Sequence, residues 1–472
     1  MPLSLVSFSL RPLGAAKPSS ANTSAYPVRG TGVAGVTPAP RQASPRAVEV
    51  HSTKPTFEAP WSGSQVEPPR RGERSPAALS RPERGGRGRQ SCTLPLPHQP
   101  SPLSPSPLAP PPPCHLVKRT PGKCHFLHLD DFTAAELRSM LVRGLEVKRL
   151  LRENPRACST SAPAPYRPFD GFRLGMIFAK ASMRTRVSFE NGFAKLGGVA
   201  SYYGPAEHGV GQREEVRDVA RVLSRYNDAL MARLYGHDEM LELAQYSSVP
   251  VINGLTDHNH PCQIMADALT MAEDLAARQG DASKGMGEDG RSPEEVVNAC
   301  WGPDAPGVKL TYVGDGNNMA HSWLRLAAVL PNLTTTIVCA PGYEPDADVV
   351  ALVPDAARGA VVVVADGATG VARAVQGADY VYTDVWASMG QKDEAEKRAR
   401  DFAGFTVTKS VLEAAGPTTR LLHCLPAERG VEVDDGAIED ATRSLVWDQA
   451  ENRMWAQMGV MLHCFDCPRP GQ

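Results

Sequence analysis

Residues 182–186 read Ser-Met-Arg-Thr-Arg and stand at the front of a helical pattern with Phe189, Phe193 and Leu196 on one face. A helix start leaves backbone N–H groups without intrahelical partners and presents the positive end of the helix dipole. The hydroxyls of Ser182 and Thr185 and the guanidinium of Arg184 add donors at that point, which is the chemistry of a phosphate site. Alone, the same residues equally fit an N-capped helix with arginines on a solvated face. Further on, His260-Pro-Cys-Gln263 sets an imidazole and an amide three residues apart, and Pro261 suits a first helical position. A histidine in that place also fits a cap or a satisfied core residue.

These groups need a scaffold, and the chain supplies one from about Lys123 onward. Thr133 and Glu136 form a capping-box pattern, and Leu137, Met140, Leu141 and Leu145 follow at helical spacing. Strand-like pieces such as Gly175–Phe178 and Ala229–Ala232 then alternate with helical patterns up to about Met271, the rhythm of a parallel sheet covered by helices. The stretch Gly280–Gly307 is rich in Gly, Asp, Ser and Pro and reads as a surface insertion or linker. Apolar strands recur at Lys309–Val313, Thr335–Cys339, Ala360–Val364, Tyr380–Tyr382 and Arg420–Leu422. Most lead into polar loops, including Gly314-Asp-Gly-Asn-Asn318, Asp384-Val-Trp-Ala-Ser-Met-Gly390 and His423-Cys-Leu-Pro-Ala427. In an open parallel sheet such loops gather at one crevice, where ligand groups belong. The first is not a dinucleotide fingerprint, because Met319 stands where a third glycine is required. The expected fold class is α/β, with two domains that are each a mainly parallel sheet flanked by helices.

Composition narrows the functional classes. A formal net charge of −2 does not suggest nucleic acid, and no apolar run approaches the length of a membrane span. Ten cysteines lack a disulfide-framework spacing, and Cys464-Phe-Asp-Cys467, without a second pair, reads as incidental rather than as a zinc or redox site. Asn332-Leu-Thr334 fits a glycosylation pattern too common to carry weight. Residues 1–122 are rich in Pro, Ser, Arg and Gly, lack periodicity, and carry several basic residues before the first acid at Glu49. They read as a disordered, transit-peptide-like segment, plastid rather than mitochondrial because no Arg-rich amphipathic helix opens the chain; a plain basic tail is the alternative.

Taken together, Ser182-Met-Arg-Thr-Arg186, His260-Pro-Cys-Gln263, Gly314-Asp-Gly-Asn-Asn318, Asp384-x-x-x-Ser388-Met-Gly390 and His423-Cys-Leu-Pro426 resemble the ornithine carbamoyltransferase family, in particular its plant plastid type. The resemblance runs from about Cys124 to His463. It implies transfer of a carbamoyl group from carbamoyl phosphate to the δ-amine of L-ornithine, with no metal and no organic cofactor, in a homotrimer whose sites lie at subunit contacts. It also implies a carbamoyl phosphate-binding domain over 123–271, an ornithine-binding domain over 272–447 with an insertion at 280–307, and a helix in 448–472 that returns to the first domain. On the resemblance, Ser182, Met183, Arg184 and Thr185 bind phosphate, Met183 through its main chain. Arg233, His260 and Gln263 surround the carbamoyl group, and Arg453 lies at the same site. Asn318, Asp384, Ser388 and Met389 hold the amino acid, with Asp384 facing its α-ammonium. Cys424 and Leu425 lie beside the reacting amine, where Cys424 orients it without forming a covalent bond. The catalytic set is then Arg184, Arg233, His260, Gln263, Asp384 and Cys424.

One loop departs from the family pattern. A segment reading roughly Gln-x-Gly or His-Leu-Gly is expected to reach into the neighbouring subunit's phosphate site, and here the stretch is His208-Gly-Val-Gly-Gln-Arg213, with Gly209 replacing a side chain. Either His208 substitutes from one position away or the loop binds phosphate less well. Two alternatives stay in view: a carbamoyltransferase with another acceptor, such as putrescine or N-acetylornithine, and, permitted by Gly209 and the unusual front quarter, a catalytically inactive binding or regulatory homologue. Asp384 with Ser388-Met-Gly390 argues against the first, and intact Arg184, His260, Asp384 and Cys424 argue against the second.

Overall fold

Thr133 caps the first helix, Ala134–Glu153: its hydroxyl accepts from Glu136 N–H while the Glu136 carboxylate accepts from Thr133 N–H. This reciprocal pairing, legible in the sequence, is typically worth about 1 kcal/mol. The computed structural model describes residues 124–163, 165–205, 214–280, 290–353, 360–387 and 392–471. The expected leader at 1–122, the 208–213 loop and Ser388-Met389-Gly390 lie outside the described residues.

The strands are β1 (Arg173–Phe178), β2 (Val199–Tyr203), β3 (Ala229–Arg233), β4 (Val251–Leu255), β5 (Val308–Val313), β6 (Leu333–Cys339), β7 (Ala360–Val364), β8 (Tyr380–Thr383) and β9 (Arg420–His423). They form two wholly parallel sheets, ordered β2-β1-β3-β4 and β7-β6-β5-β8-β9. The fold is α/β with helices flanking both sheets, as the strand rhythm predicts. Helical cover on both faces explains why β1 is buried from Leu174 through Phe178 without an exposed alternate position. One apolar cluster runs from Leu174 and Met176 through Trp301 and Trp323 to Tyr382, so the two sheets share a continuous core.

Sheet order decides where chemistry can collect. In the first sheet the chain reverses its direction of growth between β1 and β3; in the second, between β5 and β8. Such switch points open a crevice at the strands' carboxyl ends. Ser182 follows β1, Arg233 ends β3, Asn318 follows β5 and Asp384 follows β8.

Three features differ from or extend the sequence reading. Strand β4 is not among the strand-like pieces named from the sequence, and it contains Asn253-Gly254, a residue pair that favours turns. A Cβ at Gly254 would stand 2.6 Å from Met231 Sδ and 3.1 Å from the Ala232 carbonyl oxygen, so the glycine eases the approach of β3, and the Asn253 amide donates to the Leu127 carbonyl at 3.2 Å. The Gly280–Gly307 stretch is not all surface linker. Within it, Ser292 and Glu295 form a capping box on a helix, Pro293–Trp301, whose Val296, Val297, Cys300 and Trp301 are buried. Finally, the last helix spans Val446–Cys464 and packs against Ala134–Glu153, Met183–Lys195 and Pro261–Gln279. Two glycines allow its close approach: a Cβ on Gly459 would lie 2.1 Å from the Met140 carbonyl oxygen, and one on Gly144 would lie 2.6 Å from that of Trp455.

Candidate active site

Ser182 is the N-cap of the Met183–Lys195 helix; its hydroxyl accepts weakly from Thr185 N–H at 3.5 Å and donates to Thr185 Oγ1 at 3.1 Å. Phe189, Phe193 and Leu196 are fully buried and anchor this helix, so its first turn is fixed in space. Buried Thr185 is a meeting point: its hydroxyl oxygen accepts from Arg233 at 3.4 Å and from Arg453, on the last helix, at 3.3 Å. The two arginines of the motif part company. Arg184 lines a cavity of about 460 Å³, whereas Arg186 turns outward to Glu190 at 3.1 Å and lies 4.2 Å over the Tyr202 ring. Met183 exposes its side chain and leaves its backbone at the helix start.

His260 is the N-cap of the Pro261–Gln279 helix, with Pro261 at the first helical position as the spacing predicts. Its backbone N–H donates to Ser322 Oγ at 2.8 Å, and the Ser322 hydroxyl donates to the Asn318 carbonyl at 2.6 Å. The imidazole is buried, and its Nδ1 has no hydrogen-bond partner among the described residues. Burial, then Arg453, Arg233 and Arg184, hold its pKa well below the ordinary 6.5, so the ring is neutral near pH 7. Gln263 accepts from Arg453 at 2.6 Å and donates to Asp267 at 2.7 Å. Asp267 also accepts from Gln449 at 2.7 Å, and burial raises its pKa to about 7. Burial, Arg453 and Arg184 lower Arg233 to about 10, which leaves it charged at neutral pH.

The opposite wall comes from the second sheet. Thr383 and His423 are paired neighbours at the ends of β8 and β9, so Asp384 and Cys424 emerge side by side. The Cys424 thiol donates to Asp384 Oδ1 at 2.9 Å, and Val385 N–H donates to the same oxygen at 2.8 Å. Burial raises both pKa values, that of Cys424 well above 9.0, so the sulfur remains a protonated donor. Asn318, buried at the start of its helix, donates to the Thr256 carbonyl at 2.8 Å. Every described residue of the expected set lines the one cavity: Ser182, Met183, Arg184, Thr185, Arg233, His260, Gln263, Asn318, Asp384, Cys424, Leu425 and Arg453.

Sequence reasoning missed other lining residues, notably Lys180, Met319 and Glu428, and the supports Asp267, Gln449 and Ser322. A signal existed for the supports: Gln263 and Asp267, like Gln449 and Arg453, are four apart on one helix face. Also missed was a histidine cluster behind the Thr256–His260 loop. His128 and His237 meet at 2.7 Å, His237 meets the Thr256 hydroxyl at 2.9 Å, and Arg325, paired with Asp130, donates to His258 Nε2 at 2.9 Å. His258, His321 and Asp346 bring possible metal-ligand atoms within 4.8 Å of one another. However, His321 Nε2 already accepts from Asp346 N–H at 3.1 Å and its Nδ1 donates to the His258 carbonyl at 3.0 Å. With a guanidinium also on His258, the group is arranged as a hydrogen-bonded clamp.

Comparison with known proteins bears on this geometry. Residues 124–273 match the family description "Aspartate/ornithine carbamoyltransferase, carbamoyl-P binding domain", and residues 306–464 match the corresponding Asp/Orn binding domain. The chain belongs to the aspartate/ornithine carbamoyltransferase family. Among its relatives in that family, the chloroplastic ornithine carbamoyltransferase of Pisum sativum is 50% identical over 338 residues, covering 72% of this chain and 79% of the relative. The ornithine carbamoyltransferase of Halorhodospira halophila is 41% identical, covering 71% and 97%. The solved structure of ornithine carbamoyltransferase from Pyrococcus furiosus aligns with a TM-score of 0.60 at 38% identity, covering 72% of this chain and 97% of that one. Both family domains meet at the cavity, since Arg184, Arg233 and His260 come from the first and Asp384 and Cys424 from the second.

Proposed function

We propose that this protein is an ornithine carbamoyltransferase of arginine biosynthesis, transferring the carbamoyl group of carbamoyl phosphate to the δ-amine of L-ornithine to give L-citrulline and phosphate. The observation that carries this reading is a single cavity with three guanidiniums and a neutral imidazole on one wall and the buried Asp384–Cys424 pair on the other. The nitrogen lone pair of the neutral amine forms a bond to the carbamoyl carbon. The bond between the carbamoyl carbon and the bridging oxygen breaks, and phosphate leaves with that electron pair and takes up the amine's surplus proton. Negative charge grows on the carbonyl oxygen and the leaving group, so catalysis here is electrostatic placement.

In this reading the N-terminal turn with Ser182, Met183, Arg184 and Thr185 receives the phosphate, and Arg453 supports it from the last helix. Arg233 and His260 donate toward the carbonyl oxygen, and Gln263 takes the carbamoyl amide. A neutral imidazole suits that task, because it donates without adding a fourth full charge beside three arginines. Asp384 holds the α-ammonium with Asn318, Ser388 and Met389, while Leu425 and the Cys424 thiol orient the amine. Because the thiol stays protonated, Cys424 is a hydrogen-bonding group and not a nucleophile. The domain assignment follows: carbamoyl phosphate on 123–271, ornithine on 272–447, with 448–472, which holds most of the Val446–Cys464 helix, completing the first.

A homotrimer is supported by Met183, Val187 and Val199, large apolar side chains left exposed on the phosphate-site helix and the adjoining edge strand. Plastid location, with the mitochondrion as the alternative, is supported by the composition of 1–122 and by the chloroplastic pea relative. Among the described residues no helix is long and apolar enough to cross a membrane. The test is citrulline formation by the purified chain, with putrescine and N-acetylornithine as parallel acceptors and Arg184→Ala as control. Turnover with ornithine alone, lost in the control, supports the reading; a soluble protein inert with every acceptor overturns it in favour of the binding homologue.

A further inference from the structure

Among the described residues the cavity wall holds two carboxylates, Asp384 and Glu428. Asp384 is buried and already receives the Cys424 thiol and Val385 N–H. Glu428 differs in every respect. Its side chain is exposed at the cavity, and its carboxylate has no hydrogen bond or ion pair to any described residue. Its main chain, in contrast, is braced: Glu428 N–H donates to Glu432 Oε1 at 2.7 Å, and that fully buried carboxylate also meets His423 Nε2 at 2.9 Å. His423 Nδ1 accepts from Leu425 N–H at 2.9 Å, so Cys424 and Glu428 stand on one fixed loop. The adjacent cation does not quench the charge, because Arg429 is engaged by Asp435 and Glu439 at 2.5 Å each.

We infer that Glu428 is a specificity-determining residue for the acceptor, holding an ammonium group of the incoming diamino acid at the cavity mouth and disfavouring anionic acceptors. The inference rests on the carbamoyltransfer reading above. An acceptor with two ammonium groups and one carboxylate carries a net charge of about +1 near neutral pH. It must approach a cavity whose far wall carries Arg184, Arg233 and Arg453, and a fixed negative charge at the entrance offsets that repulsion and steers the encounter. Glu428 acts on the charged amine during binding, before a neutral amine attacks. Its effect therefore belongs to capture and not to the chemical step.

The experiment is steady-state kinetics of the full chain and of Glu428→Gln at low and high salt, with Glu428→Asp as the conservative variant. The expected result is a roughly two- to fivefold fall in kcat/KM for ornithine at low salt, with kcat and the KM for carbamoyl phosphate unchanged. The salt dependence of kcat/KM for ornithine flattens, and Glu428→Asp restores most of it. An unchanged kcat/KM and salt slope overturn the inference alone, as does an equal loss on the carbamoyl phosphate side, which marks a structural defect. Absence of citrulline from the unmodified chain overturns the carbamoyltransfer reading and this inference with it.

Discussion

The Cys424 thiol donates to Asp384 Oδ1 at 2.9 Å from the end of the neighbouring parallel strand. Because burial keeps the sulfur protonated, Cys424→Ser should retain measurable turnover, a hydroxyl being able to donate to the same carboxylate. Asp384→Asn should cost more, on the order of 10- to 100-fold in kcat/KM for ornithine, since it removes a charged acceptor. Steady-state kinetics of both variants decide the matter, and complete loss of turnover in Cys424→Ser would contradict a purely hydrogen-bonding role for the sulfur.

The two arginines of the Ser-Met-Arg-Thr-Arg motif should separate sharply. Arg184 faces the cavity, and its change to Ala should lower kcat/KM for carbamoyl phosphate by roughly 100-fold or more. Arg186 pairs with Glu190 on the exposed face, and its change to Ala should stay within about twofold. Equal losses would mean that the side chains are oriented differently from this structure.

Stability should fall in acid through the histidines. His237 is lowered to about 2 and His258 to about 3, and His260 and His321 are lowered too, in each case chiefly by burial. Below pH 6.5 the unfolded chain binds protons that these folded rings refuse, so stability is present above 6.5 and is lost as pH falls. Each ring contributes up to about 1.4 kcal/mol per pH unit. Asp267, raised to about 7, works in the opposite direction and offsets about one of them. Urea midpoints should therefore drop between pH 7.5 and pH 5, and His258→Gln should reduce the slope; a flat profile in the unmodified chain sinks the idea.

Gly459→Ala should destabilise by about 1–3 kcal/mol or more, because the new Cβ would stand 2.1 Å from the Met140 carbonyl oxygen and backbone must move. Gly307→Ala, whose Cβ would meet only Asn332 O at 3.8 Å, serves as the neutral comparison. The readout is the urea midpoint of each variant; parity between them contradicts the close helix crossing.

Residues that announce themselves in sequence do so because each stands at a strand end or a helix start, where short-range rules hold. Ser182, Pro261 and Thr133 all took the cap or first-turn places their types favour. What stayed hidden was long-range. Asp267 and Gln449 meet from helices far apart in the chain, and the Asn253 amide in β4 donates to the Leu127 carbonyl from 126 residues away. The Pro293–Trp301 helix was concealed by the glycines and polar residues before it, although its capping box was there to be read.

Arg453 reaches Gln263 and Thr185 from the Val446–Cys464 helix, after both sheets have been written into the chain. On the ribosome, a nascent polypeptide halted before Val446 would carry every described strand and still lack the cation that joins its two earlier partners. Chain order thus places this cation behind its two partners: a product that stops short of Arg453 cannot carry the finished anion site.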